Sequence, residues 1–316
     1  MSYRGTYMGK ILLFYKYVDI ELPGAIIKWQ RSLCEKLGLK GRVLIATEGI
    51  NGTLGGTEEA AQAYKQAMEE HPYFGGIDFK ESVGDASFFP RLRILEKKEI
   101  VNLGIDPQKL KADQGGVHLT PAQVHELISQ NPDDLVIIDT RNNYESRVGT
   151  FRDALIPDTQ YFREFPQYID DNKETFKDKQ VLMVCTGGVR CERASAYVKE
   201  AGIAKKVYQL EGGIHRYIEQ FPDGHFRGSN YVFDARIIQR VNNDILSTCD
   251  ICTTVPTDFY TNCKNARCNK QVLTCPECLA KYQESCSQAC LDLIQAGKVN
   301  IRTKSLRTMT EHSKGL

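Results

Sequence analysis

Eight cysteines, Cys249, Cys252, Cys263, Cys268, Cys275, Cys278, Cys286 and Cys290, stand within 42 residues near the C-terminus, while the rest of the chain holds only Cys34, Cys185 and Cys191. Their spacings are C-x2-C, C-x4-C, C-x2-C and C-x3-C. Two thiolates so close along a chain grip one ion without strain, so four such pairs predict two tetrahedral zinc sites of four thiolates each. The pairs can combine sequentially, or interleave first with third and second with fourth. With all eight thiolates engaged no coordination position stays open, so the zinc is expected to be structural, holding together a segment with little core. Disulfides or free thiols are the alternative. No secretory signal favours a disulfide framework, because the apolar stretch Ile11 to Tyr15 meets Lys16 at once.

That stretch is also far short of the ~18 residues of a membrane helix. Lys and Arg number 41 against 40 Asp and Glu, so no whole-chain field pulls the protein onto DNA, RNA or a membrane surface; any such attraction is local. A hydrophobic content of 41% and a charged content of 26% exclude disorder and collagen. The 316 residues suggest two or three domains at ~150 residues each, in a soluble cytoplasmic protein.

From Lys10 to Val101 strand and helix alternate: KILLFYKYVD, a helix near Pro23 to Leu37, GRVLIA, GTLGG, a helix near Thr57 to His71, then DFKES and RLRILEKKEIV. Ile26, Trp29, Leu33 and Leu37 recur at helical spacing in the first helix, and Ala61, Tyr64 and Met68 in the second. Thr57 reads as an N-cap and Gly38 as a helix stop. The pattern is β-α-β-β-α-β with an extra strand, an α/β sandwich of ferredoxin-like (acylphosphatase-like) type over residues 1–102. Residues 103–117 are polar, with Pro and Gly and no apolar period, and read as a linker. Over 118–222 the short apolar runs LVIID, VLMVC and KVYQL alternate with helices, which indicates a buried parallel sheet. Residues 223–316 form a Cys-rich segment. Between Gly224 and Leu316 there are 12 Lys and Arg against 8 Asp and Glu, and the tail Lys298 to Leu316 holds five basic residues against one acidic. The tail is modestly basic, and a solvated terminus is its simplest reading.

The sharpest chemical feature is Cys185-Thr186-Gly187-Gly188-Val189-Arg190-Cys191, between the strand VLMV and a helix expected to start near Glu192, whose core face is Ala194, Tyr197, Val198 and Ala201. A cysteine at the C-terminal end of a parallel strand sits where open α/β sheets place ligands, with the next helix aiming its first amides at it. Those amides and Arg190 favour the thiolate. The two glycines let successive N–H groups converge on a thiolate, a persulfide or an oxyanion. A buried structural cysteine beside an ordinary turn is the alternative; the coincidence of strand, Cys, Gly-Gly, Arg and helix favours a nucleophile, Cys185, supported by Arg190. Asp139 and Arg141 fall at a strand end, where such a pair fastens loops.

These residues resemble the rhodanese fold. LVIIDTRNNYES precedes the loop CTGGVRC, and LEGGI follows, over about His118 to Phe221. In that family the loop cysteine carries sulfane sulfur as a persulfide, whereas the related phosphatases space Cys and Arg by five residues; Cys185 and Arg190 are separated by four, which disfavours a phosphatase. The Gly-His-Ile segment typical of rhodaneses is replaced by Gly149-Thr150-Phe151. No role follows for Thr150.

The whole chain resembles the rhodanese-domain tRNA uridine hydroxylases, on GRVLIATEGINGTLGG, DTRNNYE, CTGGVRCERASAY, YQLEGGIHRY, NYVFDARI, NCKNARCN and CPECLAKY. The resemblance implies oxygen-dependent conversion of the wobble uridine to 5-hydroxyuridine, with O2 as co-substrate, tRNA as partner through its anticodon loop, and Cys185 as the active-site cysteine. It names no electron donor or further catalytic cofactor. An anticodon loop offers an unstacked base, captured with less cost than one in a duplex, and the basic tail and the first domain are the candidate RNA-contacting surfaces. Cys191 either resolves an oxidised Cys185 or has a packing role. A plain sulfurtransferase using a Cys185 persulfide is the alternative activity, and a non-enzymatic adaptor a further one; the cradled thiol argues against the adaptor.

Overall fold

A computed structural model describes residues 9–234 and 236–302; of the basic tail, residues 303–316 lie outside the described residues. In chain order the elements are β1 (Gly9–Tyr17), α1 (Pro23–Lys36), β2 (Lys40–Ala46), β3 (Gly49–Thr57), α2 (Glu58–Glu69), β4 (Lys80–Val83), β5 (Leu92–Glu96), β6 (Val117–Leu119), α3 (Pro121–Gln130), β7 (Leu135–Asp139), α4 (Asn143–Ser146), β8 (Gly149–Phe151), α5 (Phe165–Asp171), α6 (Lys173–Phe176), β9 (Gln180–Val184), α7 (Val189–Glu200), β10 (Lys206–Leu210), α8 (Gly213–Gln220), β11 (Phe226–Tyr231), β12 (Ile238–Arg240), β13 (Tyr260–Asn262), β14 (Gln271–Leu273), α9 (Pro276–Lys281) and α10 (Gln288–Gln295). Two compact units result. One runs through Asn143 and takes in Phe151–His225; the other comprises Tyr144–Thr150, Phe226–Val232 and the chain from Arg236.

The first unit contains two sheets. The N-terminal sheet has strand order β4-β1-β3-β2-β5, antiparallel except where β5 runs parallel to β2. Along β1 the side chains alternate: Leu12 and Phe14 point into a core with Val43, Ile45, Leu54, Tyr64 and Met68, while Leu13, Tyr15 and Tyr17 face the opposite side. Burial of each such core side chain contributes about 1.5–3 kcal/mol. Thr57 caps α2, its hydroxyl accepting from the Ala60 amide at 3.2 Å, with Glu58 and Glu59 in the first turn. In α1 the buried positions are Ile26, Gln30 and Cys34, with Trp29, Leu33 and Leu37 only partly buried against the core. The buried stripe includes a polar residue because the Tyr64 hydroxyl donates to Gln30 at 2.8 Å.

The second sheet is parallel, in the order β6-β10-β9-β7. Its core joins Ile138, Val181, Met183, Cys185, Cys191, Ala194 and Val198, and includes Leu103 and Leu110 from the stretch expected to be a linker. That stretch is packed: the Gly116 amide donates to Ser195 Oγ at 2.8 Å. The second unit is built on the sheet β12-β11-β8 and the hairpin β13-β14. No helix among the described residues is long and apolar enough to cross a membrane.

Candidate active site and thiolate clusters

Helix α7 begins at Val189, three residues before the expected start, so Arg190 and Cys191 belong to its first turn. The marker for this start is Gly188, an N-cap in left-handed conformation (φ 102°), rather than a Ser or Asp. The Gly188 amide, one of the donors a helix start leaves unpaired, reaches Cys185 Sγ at 3.1 Å. Ala194 and Val198 are buried as expected, but Tyr197 is half-exposed, bonded to Asp170, and Ala201 is exposed. Instead Glu192, Arg193 and Ser195 are buried: Glu192 meets Tyr15 on the outer face of the N-terminal sheet, Arg193 meets Glu48 in the β2–β3 turn, and Ser195 Oγ accepts from the Gly116 amide.

Cys185 is fully buried at the end of β9. Burial raises its pKa, but hydrogen bonding from Cys191, the Arg190 charge and the amides of Cys191 and Arg190 outweigh this and bring it to about 5, so it is a thiolate at neutral pH. The Cys191 thiol is pushed up by burial and by its neighbour Cys185, and stays protonated, 3.7 Å from Thr140 Oγ1. Arg190 donates to Thr186 Oγ1 at 3.3 Å, and its guanidinium lies 5.9 Å from the centre of the Phe233 ring.

The loop's outward carbonyls are tied back by the next helix. Ile214 and His215 amides donate to the carbonyls of Cys185 (2.9 Å) and Thr186 (3.0 Å). Gly213 (φ 66°) permits this approach; a Cβ there would stand 2.6 Å from the Cys185 oxygen. Beneath the loop, Asp139 and Arg141 form a bidentate pair, with Arg141 Nε 2.9 Å from Oδ1 and Nη2 2.6 Å from Oδ2, both side chains fully buried. They fasten the end of β7.

Sequence reasoning missed the residues of β1 and β4 that cover the loop. A Cβ on Gly187 would lie 3.0 Å from Leu13, and one on Gly188 2.7 Å from the Tyr15 hydroxyl. Tyr15 donates to Glu192 at 3.0 Å, and Tyr17 to the Val189 carbonyl at 3.1 Å. Burial and then Glu192 push the Tyr15 phenol far above its ordinary value, so it stays a neutral donor. Glu192 is met also by His118 Nε2 and Gln209 Nε2, each at 3.0 Å; the His118 bond raises that imidazole's pKa. Buried Lys80 pairs with Asp78 at 2.9 Å and lies 4.8 Å from the Tyr15 ring; burial lowers its pKa, with Asp78 and the Cys185 thiolate partly offsetting this. The available signal was in the alternation of KILLFYKY: bulky side chains on both faces of a strand imply a partner on each.

If the Arg190 charge sustains the thiolate, Arg190→Gln raises the Cys185 pKa. Wild-type activity is then expected to be level from pH 6 to 8 and to fall as Cys185 protonates near pH 5, with the acid limb of the variant moved up by roughly 1–3 pH units. A pH–rate profile of both proteins measures this; coincident limbs would remove Arg190 from the role.

In the second unit the eight cysteines form two clusters, Cys249, Cys252, Cys275 and Cys278, and Cys263, Cys268, Cys286 and Cys290, with ligand atoms within 4.8 Å of one another in each. The pairing is interleaved. Sγ separations of 3.9 Å (Cys252–Cys275), 3.6 Å (Cys268–Cys286) and 3.7 Å (Cys286–Cys290) match the ~3.8 Å edge of a tetrahedron with ~2.3 Å metal–sulfur bonds, and are far beyond a disulfide's ~2.05 Å. Both clusters can hold a metal ion.

Residues 9–100 match the UPF0176 acylphosphatase-like domain, 120–220 the rhodanese-like domain, and 227–291 the rhodanase C-terminal domain. The chain is 41% identical over 288 residues to a tRNA uridine(34) hydroxylase of Corynebacterium urealyticum, covering 88% of this chain and 96% of that one. It is 42% identical over 285 residues to a tRNA uridine(34) hydroxylase of Pseudarthrobacter chlorophenolicus, covering 86% and 95%.

Proposed function

Since the chain belongs to the tRNA uridine(34) hydroxylase family, we propose that it hydroxylates C5 of the wobble uridine in tRNA through Cys185, with O2 as co-substrate. The observation that carries the role of Cys185 is its burial as a thiolate at the strand end, bonded by the Gly188 amide with Arg190 in the adjoining helical turn. A thiolate so placed adds to C6 of the uracil, and the electron pair of the C5–C6 double bond passes to C5 and the C4 carbonyl. C5 gives that pair to oxygen. Loss of the C5 proton then restores the double bond and expels the thiolate. O2 takes four electrons, two from the uracil and two from an external two-electron donor, a dithiol in an assay; one oxygen atom goes to C5 and the other leaves as water.

Loop residues Thr186, Gly187, Gly188, Val189 and Cys191 shape the cradle, and Asp139 and Arg141 position it. Because Leu13 and Tyr15 lie against the loop, entry of a base requires them to part from it. The substrate portion is the anticodon loop, whose unstacked base costs little to extrude, and the enzyme works where tRNA is, in the cytoplasm. The two thiolate clusters hold structural zinc, whose chemistry there is to cross-link the fold; the donor set, four sulfurs with no open position, fits zinc.

The test uses tRNA carrying 5-fluorouridine at position 34. Fluorine replaces the proton that must leave, so the adduct persists, and mass spectrometry is expected to find the RNA on the peptide containing Cys185. Absence of any adduct, with robust transfer of sulfur from thiosulfate to cyanide, would favour the sulfurtransferase instead.

A further inference from the structure

The outer face of the N-terminal sheet is only partly occupied by its contact with the loop. Strand register carries one row of side chains across it: Lys80 pairs with Leu13, Leu13 with Thr53, Thr53 with Arg42, and Arg42 with Arg93. At the β4–β1 end Leu13 of this row lies against Gly187 of the loop. At the β2–β5 end it finishes in two adjacent guanidiniums, Arg42 and Arg93, both exposed, flanked by exposed Lys40 and Arg91. Among the described residues no acidic side chain pairs with any of these four.

Like charges on directly paired strand positions destabilise a sheet. The repulsion registers on Arg42, where burial and then the Arg93 charge lower the guanidinium's hold on its proton. Folding therefore gives no reason for the arrangement, whereas an anion bridging the two does. At ~4.8 Å per strand, Arg42 lies about 10 Å and Arg93 about 14 Å across the face from β1, whose Leu13 and Tyr15 touch the loop. Guanidiniums suit phosphate, which they bind bidentately. A local strip also supplies the attraction that a net charge of +1 denies to the whole chain.

We propose that Lys40, Arg42, Arg91 and Arg93 form a phosphate track for the tRNA substrate, holding backbone near the target nucleotide while that nucleotide is presented at the β1 edge of the same face. The proposal rests on the tRNA reading above. Filter binding of tRNA at salt concentrations from about 50 to 200 mM compares wild type with R42Q/R93Q and R42K/R93K. In R42Q/R93Q the slope of log Kd against log salt is expected to fall by roughly 1.5, and KM for tRNA to rise on the order of tenfold, with the loss falling on KM rather than kcat. R42K/R93K keeps the charge and most of the slope. The thermal midpoint of R42Q/R93Q is expected to be no lower than that of wild type, because a repulsion has been removed. Should that double variant fold poorly, R93Q alone, on the edge strand, repeats the test with about half the slope change. If wild type binds and hydroxylates tRNA while slope and KM are unchanged in the Gln variants, the track is wrong and the face is open to an acidic protein partner instead. If wild type neither binds nor hydroxylates tRNA, the tRNA reading itself fails and the track with it.

Discussion

Replacing Cys185 with serine is expected to lower 5-hydroxyuridine formation by at least about a thousandfold while leaving the protein folded. The sulfur is the one atom on which the loop's features converge: the Gly188 amide at 3.1 Å, Arg190 in the first turn of α7 and the Cys191 thiol. All of these stabilise an anion. A serine hydroxyl occupies nearly the same space but is not ionised at neutral pH, so it receives the same hydrogen bonds and has no comparable nucleophilicity. The substitution thereby separates chemistry from packing. Nucleoside mass spectrometry of tRNA from single-turnover reactions reads the loss, and a thermal midpoint close to that of wild type shows the fold intact. Retention of more than about a tenth of the activity would show that Cys185 is not the nucleophile.

Metal removal is expected to have the largest effect on stability. Apart from the cysteines, the buried apolar side chains of the second unit among the described residues are Val148, Phe226, Tyr231, Val232, Tyr260, Leu273 and Leu291. A core this small rarely holds a segment folded without cross-links. Two four-thiolate sites add a large stabilising term to so small a core, since a structural zinc contributes on the order of 10 kcal/mol to folding. Protein purified without chelator is therefore expected to hold about two zinc ions per chain, one for each cluster. After chelation, hydrogen exchange should show loss of protection over residues 249–290, while the amides of β9 remain protected. A chain with less than one zinc and full protection over 249–290 would contradict this.

The sequence made the N-terminal sandwich and the parallel sheet legible because their signals are local. Thr57 marks a helix start, and the run VLMV marks a buried strand. The start of α7 was misplaced because its cap is a glycine whose positive φ leaves no trace in periodicity, and whose amide is satisfied by the cysteine itself. Glu192 and Arg193 lie outside the core face expected for this helix; they are buried because Tyr15 and Glu48, distant in sequence, lie against them. Long-range charge pairing of this kind has no period. The cluster pairing was likewise open from spacing alone, since it is decided by the β13-β14 hairpin. Cys249 and Cys252 precede that hairpin and Cys275 and Cys278 follow it, so its base gathers them. Cys263 and Cys268 ride its tip and meet Cys286 and Cys290 after α9.

The most direct test of the central claim is nucleoside mass spectrometry of tRNA from cells that lack wobble hydroxylation, complemented with this protein or with its Cys185→Ser variant. Restoration of 5-hydroxyuridine at position 34 by the wild type alone is the expected result. Restoration by both proteins would take the chemistry away from Cys185, and restoration by neither would contradict the assignment of the activity to this chain.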